Sequence, residues 1–101
     1  MWVMAMFDLP TDTKKARKAY IRFRNALLKD GFTMMQYSVY MRHCVSQENA
    51  TLHVSRMGIA VPDAGEVRFL VITDRQFGRI RTYVGKTRVA TEKSPAQLML
   101  L

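Results

Sequence analysis

The run Trp2-Val3-Met4-Ala5-Met6-Phe7 is apolar at every position and ends in a carboxylate, Asp8. A strand turns successive side chains to opposite faces, so an unbroken apolar run has to be covered on both. Residues 2–7 therefore predict the central strand of a sheet. Alternation puts Trp2, Met4, Met6 and Asp8 on one face and Val3, Ala5 and Phe7 on the other. Leu9-Pro10 keeps the chain extended beyond the strand, because a residue before proline avoids the helical region.

The other elements group around that strand. Ala16, Tyr20, Phe23 and Leu27 recur at helical spacing and form one apolar stripe. Lys14, Lys15, Lys18, Arg22 and Lys29 fall on the opposite side. Thr11 or Asp12 is the expected N-cap, and Gly31 the glycine that ends the helix. Residues 32–44 carry β-branched and aromatic side chains with partial alternation. That stretch is long for one strand, and Gln36-Tyr37-Ser38 is its most polar point, so it reads as two antiparallel strands reversing there. Ser46 caps a second helix with the stripe Ala50, Val54 and Met57, which Gly58 ends. Residues 59–65 form a loop and 67–73 a strand. Residues 74–86 hold a short helical turn and a strand at 82–84. The terminal Gln97-Leu98-Met99-Leu100-Leu101 is apolar and is expected to add to a sheet edge, a partner's edge included.

The order β-α-β-β-α-β makes this an α+β chain of the ferredoxin-like arrangement, an antiparallel sheet with two helices on one face. The division read from the sequence is a domain at 1–86 and a tail at 87–101. The bare sheet face needs a cover, which a second copy would supply through a two-fold interface.

Sixteen Lys and Arg stand against eight Asp and Glu, a net charge of +8 on 101 residues. Such an excess attracts polyanions. The cations cluster in the first helix (Lys14, Lys15, Arg17, Lys18, Arg22, Arg24) and again at Arg75, Arg79 and Arg81 with Lys86, Arg88 and Lys93. With no base-reading motif beside them, they point to contacts with a nucleic-acid backbone. An RNA-recognition module of the same fold needs an aromatic-rich octamer, which GRIRTYVG and VYMRHCVS do not match. Cys44 is the lone cysteine, so no internal disulfide or zinc cluster is expected, and His43 and His53 read as ordinary histidines. MWVMAMF is too short for a signal peptide or a membrane span, and a cytoplasmic protein is expected.

Asp8 admits two readings. A carboxylate at the end of a buried strand needs partners, which backbone N–H groups or an arginine can supply. The alternative is a ligand to Mg²⁺, which binds through one or two carboxylates plus water and phosphate oxygens. One Asp8 per chain is marginal for that, and two across a dimer axis would suffice. Asp12 serves better as a helix cap, and Asp74 is a weaker second candidate.

Residues 6–42, MFDLPTDTKKARKAYIRFRNALLKDGFTMMQYSVYMR, resemble the N-terminal half of the CRISPR-associated Cas2 proteins. FDLP, the K-A-Y-x-x-F-R helix and G-F-x-M-x-Q-x-S-V-Y are similar to the type II subgroup, as is VITDRQFGRI at 71–80. The resemblance implies a ferredoxin-like homodimer with its C-terminal strand exchanged onto the partner. It implies an adaptor on double-stranded DNA, bridging dimers of the Cas1 integrase during spacer acquisition. It also implies Mg²⁺-dependent endonuclease activity on RNA or DNA, with Asp8 as metal ligand and catalytic residue. Some nuclease-type members carry an arginine where this chain has Met34 and Met35, and Arg17, Arg22 and Arg24 are the residues available to replace it.

Overall fold

The computed structural model describes residues 1–95. Strand β1 (Trp2–Asp8) leads to helix α1 (Lys14–Lys29), then β2 (Thr33–Gln36), β3 (Val39–His43), α2 (Gln47–Ile59) and β4 (Glu66–Ile72). A short helix α3 (Asp74–Gly78) and a hairpin of β5 (Thr82–Val84) and β6 (Thr87–Val89) follow. The four-stranded sheet has the order β2-β3-β1-β4 and is antiparallel throughout. Strand β1 is central, as its unbroken apolar run requires. The architecture is the ferredoxin-like one.

Val3, Ala5 and Phe7 face the helices and form the main core with Phe23 and Leu27 of α1 and Ala50 and Met57 of α2. Phe7 meets Phe23 edge-on at 5.4 Å and lies along Tyr40 at 5.6 Å. On the other face, Trp2 stacks on Phe77 of α3 at 3.9 Å, with Met41 beside it. Helix α3 thus covers only the Trp2 end of that face. Met4 and Met6 are half-buried and Leu70 is exposed toward the Asp8 end. The thinnest dimension of the molecule is 18 Å, close to one sheet and one helix layer.

The reversal predicted at 36–38 is a two-residue turn, Tyr37-Ser38, with Ser38 left-handed at φ 61. Its carbonyl accepts from the Phe7 N–H at 3.0 Å, which ties the turn to the Asp8 end of β1. Helix α1 ends as expected. Gly31 at φ 92 and Phe32 donate back to Leu28 and Leu27, the paired bonds of a Schellman motif.

Two expected helix ends move. Thr13, not Thr11 or Asp12, caps α1, its extended backbone placing Oγ1 3.0 Å from the Ala16 N–H. Gly58 does not end α2, which runs on to Ile59 with Ala60 as C-cap. Open space surrounds Gly58, and its backbone stays helical, so nothing there forces a stop. The division read at residue 86 falls in the turn of the β5–β6 hairpin, so residues 87–89 pair with 82–84. The apolar tail at 97–101 lies outside the described residues.

Candidate metal centre and nucleic-acid interface

Asp8 is the last residue of β1, exposed, on the sheet face that the two long helices leave bare. Register places Glu66, the first residue of β4, directly opposite it. Directly opposed residues of an antiparallel pair share a face, so both carboxylate side chains leave the sheet on the same side. Gly65 makes the approach possible. At φ +96, a Cβ there would lie 2.8 Å from the Asp8 carbonyl and 2.7 Å from Leu9 Cδ2. Only glycine lets β4 begin this close to the end of β1.

The two carboxylates differ in their contacts. Arg68 grips Glu66 through Nε at 2.8 Å and Nη2 at 2.5 Å. The Asp8 side chain makes no hydrogen bond or ion pair among the described residues. Two hard-oxygen donors on one protomer are a set that suits Mg²⁺, which takes one or two carboxylates and keeps its waters. Among the described residues no group of three or more His, Cys, Asp or Glu side chains could hold a metal. Glu66 escaped the sequence reading because its relation to Asp8 is a matter of register between distant segments.

Asp74 is already engaged. Its carboxylate accepts from the Met1 amine at 2.7 Å and contacts His43 Nε2 at 3.2 Å, in the first turn of α3. Burial pushes this carboxyl up, but those hydrogen bonds outweigh burial and hold it below its ordinary value. Asp74 also lies at the Trp2 end of the sheet, away from Asp8. Asp12 lines a groove between the start of α1 and residues 59–64.

The expected cations divide. Lys14, Lys15, Lys18 and Arg22 are exposed on α1. Arg17 is exposed too and donates to the Thr11 carbonyl at 3.2 Å. Arg24 is half-buried and turns inward, giving its Nε to the hydroxyl of buried Tyr40 at 2.9 Å. It does not belong to the exposed strip. Arg75, Arg79 and Arg81 are exposed on and after α3, on the opposite side of the sheet from α1. The chain therefore carries two basic surfaces rather than one. Of the tyrosines, Tyr40 is core and Tyr20 half-buried, its phenol pushed up by burial and by nearby Tyr37. Tyr37 and Tyr83 are exposed and free to stack on a base.

Comparison with known proteins bears on this arrangement. Residues 1–80 match the family model described as CRISPR associated protein Cas2. A CRISPR-associated endoribonuclease Cas2 of Parvibaculum lavamentivorans is 73% identical over 100 residues, covering 99% of each chain. A protein of the same name from Flavobacterium psychrophilum is 45% identical, covering 99% of this chain and 87% of its own. The crystal structure of Streptococcus pyogenes Cas2 at pH 6.5 superposes with a TM-score of 0.62 at 21% identity, over 83% of this chain and 100% of that one. That likeness shows the shared fold. With the model matching most of the chain and relatives aligned along nearly all of it, this chain belongs to the CRISPR-associated Cas2 family.

Proposed function

We propose that this protein is a homodimeric adaptor of CRISPR spacer acquisition, which binds double-stranded DNA along α1 and bridges dimers of the Cas1 integrase. The observation that carries the reading is the division of labour between the faces. The sheet face with Met4, Met6 and Leu70 has no cover among the described residues at its Asp8 end, and a second copy would supply it. The exposed cations of α1 lie on the other side and stay available when the sheet face is covered. Lys14, Lys15, Arg17, Lys18 and Arg22 would then meet phosphates without reading sequence.

A second reading, cation-dependent endonuclease activity, is favoured by the carboxylate of Asp8, unpartnered among the described residues and opposite Glu66. The relatives' printed name, endoribonuclease, supports it, and RNA is then the substrate to try first. Mg²⁺ held there would polarise a phosphodiester and stabilise the departing oxygen. Asp8 would anchor the ion, and Glu66 would add the second carboxylate.

Spacer integration into a repeat-containing plasmid by the cognate integrase separates the readings. It is run without added protein, with wild type and with Asp8→Ala. Equal stimulation by both versions is the adaptor's signature. Stimulation by wild type alone, with Asp8→Ala still dimeric, makes chemistry at Asp8 part of the function. No stimulation by either sinks the adaptor.

A further inference from the structure

We infer that Arg68 sets the divalent-cation affinity of the Asp8 site by competing with the cation for Glu66. The inference rests on reading Asp8 as a cation ligand. Asp8 and Glu66 are directly opposed, which brings their Cα atoms within about 4.5–5.5 Å, a spacing from which two carboxylates on one face can turn to one ion. Like charges so placed repel, and a counter-charge relieves them. Arg68 is that counter-charge. It stands two residues along β4, on the same face, and holds one Glu66 oxygen with both arms of its fork. A guanidinium keeps its charge across the accessible pH range, so the competition does not fade with pH.

The clasp is built to open. In the single chain Arg68 and Glu66 are 75% and 64% exposed, and the pair is weak wherever a second copy leaves this edge of the sheet open to water. Asp8 meanwhile has no partner among the described residues to give up. A cation arriving at Asp8 therefore meets a Glu66 whose Oε1 is taken and whose charge is already offset by the Arg68 guanidinium, which weakens Oε2 as its ligand. A phosphate offers the same fork a matched bidentate partner. A nucleic-acid backbone that takes Arg68 thus frees Glu66 for the cation, and each ligand strengthens the other's binding, as linkage requires.

The test is Mn²⁺ binding to metal-stripped full-length protein without nucleic acid, followed by the electron-paramagnetic-resonance signal of the free ion. Asp8→Asn should remove the site. Glu66→Gln should weaken it on the order of ten-fold. Arg68→Gln should tighten it by about two- to five-fold, the scale of an exposed ion pair. Arg68→Lys, which keeps the charge without the fork, should fall between wild type and Arg68→Gln, and it replaces Arg68→Gln should that variant fail to fold. If Asp8→Asn removes binding while the Glu66 and Arg68 variants match wild type, the clasp is wrong and the Asp8 ligand stands. If Mn²⁺ binding survives Asp8→Asn, the metal reading of Asp8 fails and the clasp with it.

Discussion

Asp30 shows how a single carboxylate can hold two helices together. It sits at the C-terminus of α1 with its side chain only 6% exposed, and it accepts from His53 Nδ1 and Arg56 Nη1 of α2, both at 2.7 Å. Burial pushes its carboxyl up, yet the hydrogen bonds from Arg56 and His53 outweigh burial and hold it below the ordinary value. A depressed folded-state value stabilises the fold above the unfolded value, about 3.9, and that gain is lost as pH falls through the folded value. Asp30→Asn should therefore cost about 2 kcal/mol at neutral pH. Urea midpoints measured from pH 6 to pH 2.5 should fall less steeply below about pH 4 in that variant than in wild type. Gly65→Ala should be costlier than its size suggests, about 1–3 kcal/mol for the left-handed backbone plus the clash with Asp8 and Leu9, read as a lower thermal midpoint. The sequence displays Asp8 plainly, since an acid closing an apolar run stands out. Glu66 and the Asp30–His53 pair are not legible there, because each depends on two distant segments meeting.

Helix α1 is legible in its stripe and less so at its edges. Phe23 and Leu27 are buried where periodicity puts them. Clustering by charge alone groups Arg24 with the exposed cations, although it lies four residues after Tyr20 and three before Leu27. That spacing marks the flank of the buried stripe, and the inward bond to Tyr40 follows from it. Thr13→Ala should remove the N-cap and lower the unfolding free energy by about 1 kcal/mol, measurable as a shifted urea midpoint. Replacing Lys14, Lys15 and Lys18 together by alanine should leave the fold intact. It should flatten the salt dependence of duplex binding by about 0.9 in log–log slope for each phosphate that is no longer neutralised. An unchanged slope would take DNA off this helix. The β5–β6 hairpin is half legible: the sequence shows a strand at 82–84, but its partner at 87–89 reads as tail. Three-residue strands with a glycine turn give too little alternation to read.

At the scale of the whole molecule, the sheet order follows from one central strand and right-handed crossovers, and the sequence is enough to reach it. The placement of charge is not reached that way. The two cationic clusters stand on opposite sides of the sheet, because α3 folds back over Trp2 on the face that α1 avoids. Leu70 is 46% exposed on that face, opposite Met4. Leu70→Glu should convert the proposed dimer to a monomer in light scattering while its circular dichroism stays that of wild type. The same face carries Met4, Met6, Met35 and Met41, whereas the core beneath the helices is built chiefly from aromatic and aliphatic side chains. Thioethers can be oxidised where phenyl and isobutyl groups cannot, and a sulfoxide is polar. If two copies pair through this face as proposed, mild peroxide should spoil that pairing long before it disturbs the folded chain, and methionine sulfoxide reductase should restore it.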